Sequence, residues 1–136
     1  MYGLRAVLYL ATQPDEGHVP IRRISKDLDI SFHFLTKILQ QLTQAGLMQS
    51  LRGPAGGVAL TSPANKITVL DIVEAVEGDN YLKRCVLGLR GCNDRNPCPL
   101  HSQWSVERTR IRALFGRTTI DQLKREKCRG ILRLAN

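Results

Sequence analysis

Apolar residues recur at helical spacing in four separate stretches of residues 1–80. The spacing i, i+3, i+4, i+7, or part of it, is typical of a helix with one buried face. The four stripes are Leu4, Val7, Leu8 and Ala11; Ile21, Ile24 and Leu28; Leu35, Ile38, Leu39 and Leu42; and Val69, Ile72, Val73 and Val76. Gly46 and Gly78 follow the last two stripes and suit left-handed helix ends. We therefore expect a mainly α fold.

The second and third stripes predict a helix-turn-helix. Pro20 is tolerated in the first turn of a helix. The short connection "LDIS" ends at Ser31, a good N-cap because its hydroxyl can accept a hydrogen bond from a free backbone N–H. Two short helices joined by a tight turn are typical of this motif, although any small helical core can show the same pattern.

A hairpin is predicted directly after the third helix. Residues 47–51 and 58–60 resemble short strands, and "RGPAGG" between them suits a hairpin tip. Arg52 lies at the base of this tip, and Gly53 and Pro54 lie within it. A hairpin in this place indicates the wing of a winged helix-turn-helix, and an ordinary surface hairpin is the alternative.

The C-terminal third predicts a long helix over residues 99–116. Arginines fill one side, and "TTIDQL" after it is compatible with a further short helix. Its apolar stripe consists of Leu100, Trp104, Ile111, Leu114 and Phe115. Such a stripe is too apolar to face water, so we expect a dimer interface.

The chain divides into a DNA-binding domain (1–80), a cysteine-rich loop (81–98), and a dimerisation helix with a basic tail (99–136).

The segment "CVLGLRGCNDRNPCPLH" gathers three of the four cysteines and one histidine. No segment approaches the ~20 apolar residues that span a bilayer. Arg5 interrupts the apolar start, which we interpret as a helix rather than a signal peptide. A cytoplasmic location without a membrane partner is the expectation. In that reducing compartment, clustered cysteines more often bind metal or act in redox chemistry than form disulfides. The fourth cysteine, Cys128, lies outside the cluster and is expected to be a surface or tail thiol.

Charge is distributed unevenly along the chain, whose net charge is +8. Residues 1–81 carry seven Lys or Arg and eight Asp or Glu, whereas residues 82–136 carry thirteen and four. A basic protein favours an anionic partner such as nucleic acid, with a merely solubilising surface as the alternative. Residues 22–66 carry six basic and two acidic side chains, which agrees with DNA binding.

The polar side of the third helix supplies candidate DNA contacts. They are Ser31, Phe32, His33, Thr36, Lys37 and Gln40. The N-terminal end of such a helix enters the major groove, where Lys suits guanine or phosphate and Gln suits adenine. A plain solvated face fits each of them equally well.

An enzyme is not expected, because the chain lacks a C-x-x-C pair, a nucleophile–base set and a nucleotide-binding loop.

The stretches "YGLRAVLYLA", "RGPAGGVAL" and "ITVLDIVEAVEG", followed by three cysteines, resemble the Rrf-type family of bacterial winged helix-turn-helix transcription regulators. The resemblance covers about residues 2–125, and IscR-like and NsrR-like iron–sulfur sensors are members of this family. It implies a repressor that forms a homodimer through crossed C-terminal helices, with Arg52 reaching the minor groove. A two-fold protein then reads a near-palindromic operator in double-stranded DNA.

The resemblance also implies a cofactor. It implies an iron–sulfur cluster, 2Fe–2S favoured over 4Fe–4S, that controls operator affinity and senses cluster supply, redox state or nitric oxide. The implied ligands are Cys85, Cys92, Cys98 and His101. Six residues separate the first two cysteines, where IscR-like members have five, and the carboxylate ligand of NsrR-like members would fall at Met1. A regulator of the same fold that is stabilised by zinc, or that lacks a cluster, is the alternative, since three Cys and one His also bind zinc.

Overall fold

The helices and the hairpin lie where the hydrophobic pattern predicts them. The computed structural model describes residues 2–14 and 17–128, so the expectations for Met1 and for the tail after residue 128 lie outside the described residues. The elements are α1 (Tyr2–Ala11), α2 (Ile21–Leu28), α3 (Phe32–Gln44), β1 (Met48–Leu51), β2 (Gly57–Leu60), α4 (Val69–Glu77), α5 (His101–Arg117) and α6 (Ile120–Cys128), with 3-10 turns at Ala64–Lys66 and Tyr81–Lys83. The predicted mainly α, winged-helix fold is confirmed.

Helix α1 forms the centre of the core. Ala6 and Val7 are fully buried, and the helix packs against α2, α3, α4 and α6. The apolar stripes of α2 and α3 are buried against it, as their spacing predicts. The Nη2 of Arg5 also donates a hydrogen bond to the carbonyl oxygen of Leu28 at 2.7 Å, which ties α1 to the end of α2.

The turn between α2 and α3 is built by backbone contacts. Asp29 adopts a left-handed conformation, with φ of 51°, and its N–H bonds back to α2. Ser31 occupies the N-cap of α3, but its side chain makes no capping hydrogen bond, contrary to the expectation. Its carbonyl oxygen instead accepts the N–H of Leu35 at 2.9 Å. Gly46 has φ of +77° after α3, as predicted.

The wing is a two-stranded antiparallel hairpin, and Val19 forms a single β-bridge with its edge. Met48 pairs with Leu60 and Leu51 pairs with Gly57. Val19 exchanges two backbone hydrogen bonds with Val58, at 2.9 and 3.0 Å. Because the Val19 backbone comes so close, a Cβ on Gly57 would lie 2.2 Å from its carbonyl oxygen. Only glycine fits this position without a shift of the chain.

The C-terminal helices differ in burial. Helix α5 begins at His101 rather than at Pro99, because Pro99 and Leu100 form a turn before it. Within this described helix no side chain is fully buried. Helix α6 returns to the core, where Ile120 is buried and its N–H bonds to the carbonyl oxygen of Ile67 at 2.9 Å. Among the described residues, no helix combines the length and apolarity needed to cross a bilayer.

We expect Gly57→Ala to lower the free energy of unfolding by about 2 kcal/mol or more, since backbone clashes belong to the costly class of substitutions. Gly17→Ala is the matched control, because a Cβ there meets no atom within 4 Å. Guanidinium denaturation at one protein concentration, followed by circular dichroism, measures both. Equal midpoints for the two variants would contradict the close strand approach.

Candidate functional site

The cysteine loop, residues 84–100, connects the helical core to α5. It contains no helix and no paired strand, as its Gly, Asn and Pro content predicts. Two side chains of α5 hold its start. The indole N–H of Trp104 donates to the carbonyl oxygen of Arg84 at 2.9 Å, and Arg108 donates to that of Lys83 at 3.1 Å. The loop is thereby attached to α5 before its first cysteine.

Three thiols converge within this loop. The Sγ atoms of Cys85, Cys92 and Cys98 all lie within 4.8 Å of one another, and those of Cys85 and Cys98 are 3.6 Å apart. All three are free thiols and are half-buried. Gly88 and Gly91 adopt positive φ angles of +69° and +76°, which reverse the chain between the cysteines. Residues separated by six and five positions therefore present their sulfur atoms to one point.

The loop gives two of the thiols different pKa values. The backbone N–H of Leu89, with that of Leu87, lowers the pKa of Cys85 to about 7. The backbone N–H of Cys98 acts in the same direction on Cys92, but partial burial and the two neighbouring thiols outweigh it and raise the pKa of Cys92 above its ordinary value. The N–H groups that favour the Cys85 thiolate therefore come from the loop backbone itself.

His101 lies beside the thiols as the first residue of α5. Its Nδ1 is 3.3 Å from the Sγ of Cys92, and its Nε2 is 2.9 Å from a carboxylate oxygen of Asp94. In the structure the His101 side chain contacts Cys92, while its backbone N–H donates to the Cys98 carbonyl oxygen at 3.0 Å.

Positive charge surrounds the thiols. Arg84, Arg90 and Arg95 are exposed in the loop, where Asp94 is the single acidic residue. Three thiolates would repel one another unless cations or a metal stabilised them. The arginines and the thiol geometry together favour an anionic metal–thiolate group at this position.

An apolar cleft of about 620 Å³ borders the loop. It lies between α1, α4 and α5, and Cys85 is at its edge. Trp104, Ile111 and Phe115 of α5 line this cleft. The predicted apolar stripe of α5 is therefore divided, because Leu100 and Leu114 are exposed on the surface together with Val106.

The predicted DNA-contacting residues of α3 extend from its N-cap, Ser31, to Gln40. Ser31, His33, Lys37 and Gln40 are exposed, whereas Phe32 and Thr36 are half-buried. The Thr36 hydroxyl donates to the Phe32 carbonyl oxygen at 2.7 Å, so its methyl group is the part best suited to meet a base. The wing residues Arg52, Gly53 and Pro54 are exposed, and Gly53 has φ of +103°.

Several contacts near these surfaces were not found from the sequence. The guanidinium of Arg22 stacks over the Phe32 ring, 4.8 Å from its centroid, so the start of α3 orients it. Phe34 is exposed and packs edge-on against Tyr2. The sequence gives no indication that Asp94 contacts His101. A loop joins the two residues, so their spacing follows no helix or strand period.

Comparisons with known proteins agree with this structure. The model of the Rrf2 family, described as an iron-dependent transcriptional regulator, matches residues 1–126. The HTH-type transcriptional regulator IscR of Pectobacterium carotovorum subsp. carotovorum (strain PC1) is 34% identical over 126 residues, which cover 93% of this chain and 76% of that protein. CymR (YrzC), the global cysteine regulator of B. subtilis, superimposes with a TM-score of 0.70 at 28% identity, covering 90% of both chains. T. potens IscR has a similar fold, with a TM-score of 0.75 at 24% identity, over 97% of this chain and 87% of that one.

In the reduced, metal-free protein we expect Cys85 to be alkylated faster than Cys92 at pH 7. The thiolate is the reactive form, so the Cys85 rate should be half-maximal near its pKa of about 7. The Cys92 rate should rise at higher pH than the Cys85 rate, because burial and the neighbouring thiols raise the pKa of Cys92 above its ordinary value. Pulsed iodoacetamide labelling from pH 5 to 10, read by peptide mass spectrometry, measures both profiles. Identical pH profiles for Cys85 and Cys92 would contradict the expected difference between their pKa values.

Proposed function

Because the chain belongs to the Rrf2 family of transcriptional regulators, we propose that it is a DNA-binding repressor controlled by an iron–sulfur cluster. Family and relatives are transcriptional regulators rather than enzymes. The proposed ligands are Cys85, Cys92, Cys98 and His101. The proposed partner is chromosomal DNA, so the proposal also places the protein in the cytoplasm.

The convergence of the three thiols carries this proposal. Free thiols within 4.8 Å of one another are the donor set that iron–sulfur clusters use. His101 adds an imidazole at 3.3 Å from one of them. Imidazole replaces thiolates on one iron of some 2Fe–2S centres, which favours 2Fe–2S over 4Fe–4S here. The half-buried sulfur atoms leave the site open to small molecules from solvent.

When bound, such a cluster supplies one-electron redox chemistry and a centre that responds to iron supply or nitric oxide. The chain's own residues supply the coupling. Cys85 follows the turn at Tyr81–Lys83, close to the end of α4, and His101 begins α5. Holding these two residues at one point fixes the start of α5 relative to α4. Arg112 of α5 also contacts the Glu74 carboxylate of α4 at 2.6 Å, which gives the same pair of helices a second link.

A homodimer is part of this proposal. The described helix α5 buries no side chain completely, and Leu114 and Val106 are 47% and 50% exposed. An exposed apolar face of this kind marks a surface for association, and crossing of two α5 helices would cover it. A two-fold dimer presents two α3 helices, so its operator should be a near-palindrome with half-sites about one helical turn, or a multiple, apart.

The proposed DNA contacts divide by groove. Ser31, His33, Lys37 and Gln40 are exposed where α3 would enter the major groove, with Phe32 and Thr36 beside them. Arg52 stands next to Gly53 and Pro54 in the wing, where a backbone without bulky side chains allows close approach to the minor groove. Arg22 and Arg23 on α2 are exposed and suit phosphates.

A structural zinc ion is the second candidate, and one observation favours it. The Sγ atoms of Cys85 and Cys98 are only 3.6 Å apart, and three thiolates with one imidazole form a tetrahedral zinc site. A zinc site would stabilise the same loop without responding to redox state. The metal content and the colour of the purified protein distinguish an iron–sulfur cluster from a zinc ion.

We expect anaerobically purified protein to be coloured and to contain iron and acid-labile sulfide in equal amounts, with little zinc. Cys92→Ser should lose most of both, because it removes one of the converging thiolates. Cys128→Ser is the matched control and should retain them. Absorption spectra with iron, sulfide and zinc analysis measure this. Colourless protein with one zinc per chain would contradict the cluster and support the zinc site.

We expect Arg52→Ala to weaken operator binding by roughly 1–3 kcal/mol, and binding to random DNA much less. An arginine that reads a narrow minor groove recognises its shape and potential, so the loss should depend on sequence. Arg52→Lys is the matched control, since it keeps the charge and loses the planar guanidinium. Anisotropy titrations at several salt concentrations measure each variant.

A phosphate contact gives a different result for these variants. Arg52→Ala would then weaken binding to every DNA equally and lower the salt slope by about one, while Arg52→Lys would bind like the wild type. That outcome would exclude groove reading by Arg52.

A further inference from the structure

We infer that Asp94 is a positioning residue that directs the Nδ1 of His101 at the cysteine site. The inference rests on the proposed function, in which His101 completes the ligand set. The His101 side chain is 12% exposed and lies between two groups, the Sγ of Cys92 at 3.3 Å and a carboxylate oxygen of Asp94 at 2.9 Å. Each ring nitrogen therefore has one neighbour.

The carboxylate decides which nitrogen carries the hydrogen. A carboxylate only accepts hydrogen bonds, and a neutral imidazole has a single N–H. With Nε2–H donated to Asp94, the lone pair of His101 lies on Nδ1, and Nδ1 is the atom that contacts Cys92. A metal ligand needs that lone pair, and a hydrogen bond to the other ring nitrogen is how proteins fix the tautomer and the ring orientation.

A second set of hydrogen bonds holds Asp94 in place. The side-chain oxygen of Asn93 accepts the N–H groups of Arg95 and Asn96 at 2.8 and 3.0 Å. Its side-chain nitrogen donates to the Gly91 carbonyl oxygen at 3.1 Å. Asp94 lies within this tight turn, two residues after Cys92. One turn thus positions both a proposed ligand and the carboxylate that orients another.

Exposure determines what kind of effect Asp94 has. Its side chain is 95% exposed, so its hydrogen bond to His101 contributes little to the stability of the fold. The choice of tautomer is a separate equilibrium from folding, and a carboxylate, which can only accept, favours the form with the hydrogen on Nε2. Asp94 therefore acts through His101, and its removal should be felt at the metal site more than in the fold.

The test compares Asp94→Ala with Asp79→Ala, which removes an exposed acid outside the loop. In the metal-free, reduced full-length chain, long-range ¹H–¹⁵N NMR of the His101 ring reports the tautomer. We expect the Nε2–H form in wild type and Asp79→Ala, and a mixture in Asp94→Ala. In loaded protein, Asp94→Ala should shorten the half-life of the cluster absorbance against a chelator roughly tenfold, the lower range for such partners.

A double-mutant cycle separates positioning from other roles. In a His101→Ala background, Asp94→Ala should cause no further shortening. Further shortening would overturn the inference, because Asp94 would then hold the loop or bind the metal itself. An unchanged His101 tautomer in Asp94→Ala would overturn it as well. A wild-type protein that assembles no cluster contradicts the proposed function instead, and the NMR comparison on metal-free protein still decides the role of Asp94.

Discussion

The burial of α1 is the interaction on which the positions of the other elements depend. Its buried residues contact the helix-turn-helix on one side and α4 on the other. Gly3 allows α4 to come close, since a Cβ there would lie 3.0 Å from a methyl group of Val76. Closely packed interiors of this kind resist small shifts. Helix α3, the wing and α4 therefore share one packed core, and α6 joins it through Ile120.

Helix α5 is attached differently. It contacts the body through side-chain hydrogen bonds, an ion pair with Glu74 and three half-buried apolar residues along the cleft. Within residues 101–117 no side chain is fully buried, so α5 is held by half-buried and polar contacts rather than by the core. In the proposed dimer, the position of α5 sets the distance between the two α3 helices. The proposed ligands come from both ends of the loop that joins α5 to the body, and the role proposed for Asp94 concerns the ligand on α5.

Amphipathic periodicity predicted most of the fold, because α2, α3 and α4 each bury one face against a common core; α1 is buried on nearly all sides between Ala6 and Leu10. Leu35, Ile38, Leu39 and Leu42 are all buried as their spacing requires. The start of α5 was predicted two residues early because Pro99 suits a first helical turn equally well as a sequence and as part of the preceding turn. The cysteines could be recognised as a site, yet the contact of His101 with Cys92 could not. It depends on the turn around Asn93, and such loop hydrogen bonds leave no repeat in the sequence. At Ser31 the sequence predicted a contact that the structure lacks. The residue occupies the expected N-cap position, but its side chain makes no capping hydrogen bond.

The most direct test of the account is operator affinity with and without the cysteine site occupied. The operator is obtained by selection from random-sequence DNA, and loaded protein is compared with the Cys92→Ala apo form by anaerobic titration at one fixed salt concentration. If the loop sets the spacing of the reading helices, the two forms should differ by at least about 1 kcal/mol on the operator, the lower end of typical coupling free energies, and should bind random DNA alike. Equal affinities of the two forms on the operator would contradict the account, because the cysteine site would then not control DNA binding.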